Sequence, residues 1–220
     1  MNVLVSRWNL TIAAFNKMTA GSESQAILRS TNSIRTFICI EVPAPITERI
    51  ARLQQTLRER EAKISWVKTT NIHLTLRFLG DVTMVRIPAV GAAVERAALR
   101  SGPLEIEVGT TGVFPSVKRP RVFWVGLPAV PDALADLHAL IEEELAREGF
   151  PPDDRGFSPH LTIGRVRSPR NASQVAEDLI AIGFERESFQ AGKVIVMRSD
   201  MNPGGSIYSP LFHVPLGRRF

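Results

Sequence analysis

The chain switches repeatedly between a strand period and a helix period. "RTFICIEVP", Arg35 to Pro43, is an almost unbroken apolar run closed by a proline, and it predicts a strand. "PITERIARLQQTLREREA" comes next with Ile46, Ile50, Leu53 and Leu57 at helical spacing, which predicts an amphipathic helix. "NIHLTLRFLG", Asn71 to Gly80, has apolar residues at alternate positions and predicts a second strand ending at a Gly-Asp turn. "TMVRIPAVGAAVERAALRS" predicts a second helix, with Pro88 near its start. "PLEIEVGTTGVF" and "RVFWVGLP" read as two strands joined by the basic loop "PSVKRPR", and "PDALADLHALIEEELAREG" as a helix between Pro131 and Gly149. The plan then recurs. "SPHLTIGRVR" predicts a strand, "NASQVAEDLIAIG" a short helix, and "SFQAGKVIVMRSD" with "SIYSPLFHVPLG" two strands across a glycine-rich turn. A coarse internal duplication results, Arg35 to about Arg100 against the segment from Pro103 onward. The expected fold class is α+β, with two antiparallel sheets facing each other.

The first 34 residues keep to neither period. They hold three basic residues and one acid among scattered Ser, Thr and Asn. Their composition is that of a transit peptide, but an upstream start codon or a cloning-derived extension gives the same composition and is the preferred reading. Residues 1–34 are therefore expected to be a flexible extension, and residues 35–220 one compact domain. No apolar run approaches the roughly 20 residues of a membrane span, so no membrane association is expected. The lone Cys39, within "TFICIEV", reads as a buried small hydrophobe. Absence of a disulfide framework fits a reducing compartment and a cytoplasmic location. The 27 Lys and Arg against 22 Asp and Glu give a net charge of +5, which favours an anionic partner without naming it.

Two strands carry the candidate chemistry. Alternation puts His73 and Thr75 on one face with Leu74 and Leu76 on the other, and His160 and Thr162 on one face with Leu161 and Ile163 on the other. The apolar positions can pack on helices while the polar pairs line a cleft. Two imidazoles flanking one electrophile, each with a reference pKa of about 6.5, can serve as base and acid for in-line displacement at phosphorus, with an optimum near neutrality. Threonine hydroxyls beside them can donate to non-bridging oxygens. Neither a metal nor a cofactor is called for, and no cysteine pair or carboxylate stands at zinc-ligand spacing around either histidine.

"HLTL" and "HLTI", 87 positions apart (160 − 73), lie within "NIHLTLRFLG" and "FSPHLTIGR", with "RTFICIEVP" upstream and "FPSVKRPRVFWVGL" between them. This arrangement resembles the RNA 2′,3′-cyclic phosphodiesterase family, also called 2′-5′ RNA ligases, of the two-histidine phosphoesterase superfamily, and the resemblance runs from Arg35 to about Leu216. It implies a bilobal fold with helices outside two facing sheets and a central cleft. The activity it implies is metal-independent opening of 2′,3′-cyclic phosphate ends of RNA to 2′-phosphate, and also ATP-independent joining of tRNA halves. By the same resemblance His73 is the proton donor, His160 the proton acceptor, and Thr75 and Thr162 bind phosphate. The partners expected are RNA ends, including tRNA halves, with the enzyme acting as a monomer.

Arg165 ends a longer His-x-Thr-x-x-Arg pattern, yet strict alternation puts it on the face opposite His160. A bulge at Gly164 would return it to the cleft; otherwise it pairs beneath the strand. Arg77 shares parity with His73 and reads as solvated. Lys118, Arg119 and Arg121, near Phe114, Phe123 and Trp124, have the make-up of a single-stranded RNA contact, although the aromatic residues can equally belong to the core. Phe123 and Trp124 must face oppositely. Tyr208 stands where members of the family often carry a cleft tyrosine, and His138 and His213 read as bystanders. Two other readings stay open: a phosphodiesterase for a small cyclic nucleotide or an ADP-ribose cyclic phosphate, and an inactive RNA- or nucleotide-binding module.

Overall fold

The runs of strand and helix period fold as strands and helices, two of the strand runs dividing, and the way they are joined makes the cleft. A computed structural model describes residues 32–202 and 205–217. Strands β1 (Ser33–Glu41), β3 (His73–Thr83), β9 (Lys193–Asn202) and β10 (Gly205–Pro215) form one half of an eight-stranded antiparallel sheet, in the order β10-β9-β1-β3. Strands β7 (His160–Val166), β6 (Val122–Gly126) and β5 (Thr110–Phe114) form the other half, with the short β2 (Ile64–Trp66) paired to the outer part of β7. One residue pair, Leu74 opposite Leu161, joins the halves. The facing sheets are thus two halves that meet between the two His-x-Thr motifs.

The four helices are α1 (Ala44–Arg58), α2 (Ile87–Ala98), α3 (Asp132–Arg147) and α4 (Ala172–Ile182). Pro88 falls in the first turn of α2, where its missing N–H costs nothing. A two-stranded sheet pairs β4 (Leu104–Val108) with β8 (Glu187–Ala191). The element order β-α-β-α-β-β therefore occurs twice, as β1 to β5 and as β6 to β9, with β2 extra in the first copy and β10 appended to the second. The boundary between copies is the basic loop after Phe114, later than the expected division near Arg100. The copies also exchange parts. β5 ends the first copy but pairs with β6, and β9 ends the second but pairs with β1. From α1, Gln54 reaches β7, and from α3, Glu142 reaches β3. Neither half-sheet is covered by its own copy alone.

Four boundaries differ from the sequence reading, each for a local reason. β3 does not turn at Gly80-Asp81 but runs on to Thr83, with Gly80 at φ +69° opposite Thr36 beside a register shift. "PLEIEVGTTGVF" breaks at Gly109 and "SFQAGKVIVMRSD" at Gly192, so each supplies two strands to different sheets. β1 starts at Ser33, and Ile34 is buried opposite Val82, so the last two residues of the expected extension belong to the fold. Residues 1–31 of that extension lie outside the described residues. The core is continuous across both halves and includes Ile38, Ile40, Leu74, Phe123, Leu161 and Ile163. Cys39 is buried, and burial beside Glu41 pushes its thiol up to about 12. Among the described residues no helix is long and apolar enough to cross a membrane.

Candidate active site

The first three residues of β3 and of β7 obey simple alternation. Leu74 and Leu161 are fully buried, while His73, Thr75, His160 and Thr162 are half-buried on the other face. Each imidazole is fixed the same way. His73 Nδ1 lies 2.8 Å from the Asn71 carbonyl and His160 Nδ1 lies 2.7 Å from the Ser158 carbonyl, in both cases two residues earlier in the chain. A carbonyl can only accept, so Nδ1 carries the proton and Nε2 of each neutral ring is left with its lone pair. Neither threonine hydroxyl has a hydrogen-bond partner among the described residues.

Beyond the threonines both strands bulge. Thr75 faces Cys39 and Arg77 faces Ile38, which leaves Leu76 unpaired; Thr162 faces Trp124 and Gly164 faces Phe123, which leaves Ile163 unpaired. An extra residue reverses the parity of the positions beyond it. Arg165, opposite Val122, consequently lies on the face of His160 and Thr162 and is exposed, and its charge bears on both imidazoles. The bulge sits one residue before Gly164. What Gly164 supplies is room, since a Cβ there would stand 3.0 Å from Ile64 and Trp66. The bulged Ile163 carbonyl accepts a hydrogen bond from Gln54 Nε2 at 2.8 Å, a partner that the helical pattern of α1 gave no sign of.

The same parity change moves Arg77 away from the cleft. Expected to be solvated, it is 6% exposed on the opposite face, with Nη1 3.0 Å from Asp153 and Nη2 donating to the Pro151 carbonyl. Its Nε also approaches Glu142 Oε1 at 3.0 Å, without the alignment of a hydrogen bond. These partners hold the segment before β7 against β3. His138 stacks on Phe157 of that segment at 4.0 Å, next to the Ser158 that anchors His160.

Rings surround both imidazoles. Phe37 stacks on His73 at 4.7 Å and Tyr208 meets it edge-on at 5.3 Å; Phe114 meets His160 edge-on at 5.1 Å, with Trp124 at 6.4 Å. Phe123 is in the core and Trp124 on the cleft side, where its indole lies across Gly112 and Gly126. A Cβ at Gly126 would stand 2.7 Å from that indole. Burial, then the charge of Arg165 and the neighbouring His160, push His73 down to about 4 against the opposing bond to Asn71. Burial and Arg165 lower His160 as well.

The structure thus brings together His73, Thr75, Tyr208, His160, Thr162 and Arg165. Lys118, Arg119 and Arg121 stay exposed on the β5–β6 loop, which leaves from Phe114, and none forms an ion pair among the described residues. Phe37, Phe78, Gln54 and the two anchoring carbonyls are the neighbours that residue patterns did not indicate. Among the described residues no three His, Cys, Asp or Glu side chains are grouped to hold a metal ion.

Known proteins resemble this chain in sequence and in fold. RNA 2′,3′-cyclic phosphodiesterase of Methanothermobacter thermautotrophicus is 32% identical over 81% of this chain and 96% of its own length. The protein of the same name from Thermotoga maritima is 31% identical over 81% and 94%. The crystal structure of E. coli LigT complexed with NADP+ superposes with a TM-score of 0.67 at 26% identity, covering 86% of this chain and all of that one. The family described as LigT like Phosphoesterase matches the sequence twice, at residues 40–124 and 125–208, one match for each His-x-Thr strand. With both halves matched and both motifs in the cleft, the chain belongs to the LigT-like phosphoesterase family.

Proposed function

We propose that the protein opens 2′,3′-cyclic phosphate ends of RNA to leave a 2′-phosphate, by acid-base catalysis that needs no metal. The observation that carries this reading is the pair of imidazoles on one face, each with Nδ1–H committed to a carbonyl and Nε2 free. His160 Nε2 takes a proton from water as the water oxygen attacks phosphorus. The P–O3′ bond breaks, and protonated His73 gives its Nε2 proton to O3′. Thr75, Thr162 and Arg165 offer donors to the non-bridging oxygens, where charge is shared in the transition state. In the free protein the depressed His73 is mostly neutral. A bound phosphate anion offsets Arg165 and favours the imidazolium, so substrate itself helps to charge the acid.

An RNA hydroxyl in place of water gives a 2′-5′ bond by the same steps, which is how tRNA halves would be joined without ATP. Tyr208, beside His73, is assigned to the ribose side, and Lys118, Arg119 and Arg121 to the RNA backbone. Residues from Ser33 onward are assigned to one catalytic domain that acts as a monomer.

The test is incubation with RNA ending in 2′,3′-cyclic phosphate in the presence of EDTA, with the phosphate position of the product determined. A 2′-phosphate product at undiminished rate is expected; loss of activity restored by a divalent metal would refute the mechanism. His73→Ala and His160→Ala should each lower turnover by ~10² to 10⁴ with the fold retained. Turnover of a mononucleotide cyclic phosphate but not of an oligoribonucleotide would favour a small-molecule substrate, and binding without turnover of either an inactive module.

A further inference from the structure

The two half-sheets differ in how their cations are neutralised. The lysines and arginines of β1, β3, β9 and β10 are Arg35, Arg77, Lys193 and Arg198. Lys193 pairs with Glu41 at 2.7 Å, Arg198 with Asp200 at 2.8 Å, and Arg77 with Glu142 and Asp153 at 3.0 Å. Arg35 alone lacks a carboxylate partner among the described residues, and it stands toward the end of β1 farthest from His73. The half that carries His160 is the reverse. Arg165 on β7, Arg167 just beyond it, Lys63 just before β2, and Lys118, Arg119 and Arg121 on the β5–β6 loop are all exposed, and none forms an ion pair among the described residues.

Arg165, Arg167 and Lys63 form a line that leads away from the motifs. The bulge turns Arg165 to the cleft face, and Ser65 of β2 pairs directly with it, which places the Ser65 hydroxyl on that face too. Arg167 Nη2 donates to this hydroxyl at 3.4 Å, so Arg167 follows Arg165 on the same face. The N–H groups of Arg167 and Ser168 donate to the Lys63 carbonyl at 2.8 Å and 3.3 Å, which sets Lys63 opposite Arg167. Alternate residues of a strand stand about 6.6 Å apart, close to the step between successive phosphates of an extended RNA strand. A bare edge strand can carry a lysine merely to deter pairing with other chains. That accounts for Lys63 on the edge, but not for two arginines of β7, which has β2 on one side and β6 on the other.

We infer that Arg167 and Lys63, continuing outward from Arg165, form a track for the backbone of an RNA strand whose 5′ hydroxyl attacks the cyclic phosphate. The inference rests on the reaction proposed above, in which O3′ departs toward His73 and the attacking oxygen is activated by His160. An attacking strand therefore enters over the half-sheet of His160, where the unpaired cations are. Water needs no such guide, whereas a 5′ hydroxyl is followed by phosphates that do. In the joining step the 5′ oxygen bonds to phosphorus and the P–O3′ bond breaks. The hydroxyl proton passes to His160 and the His73 proton to O3′, so the exchange balances without a further reactant.

The test uses an oligoribonucleotide with hydroxyls at both ends, which can attack but cannot itself be opened. Arg167→Ser and Lys63→Ser should each weaken its binding about fivefold at low salt, the effect of one charge-assisted contact, and each should lower the slope of log affinity against log salt by about 0.7. When the same oligonucleotide is joined to RNA ending in 2′,3′-cyclic phosphate, its half-saturating concentration should rise by the same factor. Hydrolysis of adenosine 2′,3′-cyclic phosphate should keep the wild-type kcat and KM in both variants. Unchanged binding and salt slope, or equal losses in joining and in mononucleotide hydrolysis, would overturn the track and leave the reaction standing. A wild-type enzyme that hydrolysed RNA ends but joined no strands would do the same. One that opened no cyclic phosphate would overturn the reading of the reaction and the track with it.

Discussion

If the two imidazoles act as proposed, the pH dependence of catalysis is set by how they are buried, and it departs from the neutral optimum that a free imidazole pair suggests. In the mechanism proposed above, the productive free enzyme has His160 neutral and His73 charged. With His73 pushed down to about 4 by burial and Arg165, about one free molecule in a thousand carries that proton at pH 7. His160 is lowered too, by the same causes, so its own titration also lies acid of 6.5. kcat/KM should therefore be highest below pH 6.5 and fall about tenfold for each pH unit above it, with apparent limbs that belong to the coupled pair. The kcat profile should lie to the alkaline side, because bound phosphate offsets Arg165. Arg165→Gln removes a charge that lowers both imidazoles, and should shift both limbs of kcat/KM upward in pH while reducing its maximum. The assay is initial-rate hydrolysis of RNA 2′,3′-cyclic phosphate from pH 4 to 9 at constant ionic strength. A kcat/KM maximum at or above pH 7, or limbs unmoved in Arg165→Gln, would refute the reasoning. Stability sets the acid boundary of the experiment. An imidazole held below its unfolded value favours the fold above 6.5, and the contribution is lost as pH falls from about 6.5 to about 4, about 3 kcal/mol for His73. Melting temperature should fall over that interval, and less so in His73→Gln.

Other parts of the fold make separate demands. Arg77→Met removes the cation between Glu142 and Asp153 and should destabilise by about 3 to 5 kcal/mol in urea denaturation, because two part-buried carboxylates lose their partner. Gln54→Leu removes the donor to the Ile163 and Val67 carbonyls and should cost about 1 to 3 kcal/mol, with kcat/KM falling further than the stability loss alone explains because Arg165 depends on that bulge. Deleting residues 1–31 should leave melting temperature and turnover unchanged, whereas deleting through Ile34 also removes a buried isoleucine and should cost about 2 kcal/mol.

Sequence pattern reached the motifs because alternation holds from His73 to Thr75 and from His160 to Thr162, before anything interrupts it. It misplaced Arg77 and left Arg165 undecided because Leu76 and Ile163 are ordinary apolar residues. Their extra position is set by the opposing strand and, at Ile163, by Gln54 on a distant helix. The Nδ1 anchors are backbone carbonyls of Asn71 and Ser158, which no side-chain pattern can announce. The repeat was visible in two similar strands, but its boundary was not, since β5 leaves its own copy to pair with β6. β2, three residues long, falls below the length at which alternation is readable.

The single Leu74–Leu161 pair has a mechanical consequence. If the half-sheets tilt relative to each other, this pair is the pivot, and displacement grows with distance from it. His73, Thr75, His160 and Thr162 are its immediate chain neighbours and have the shortest lever arms. Phe78 and the β5–β6 loop have longer ones. Displacement at the rim would then exceed that at the motifs, so a tilt about this pair would widen the cleft while the spacing between its two imidazoles changes least.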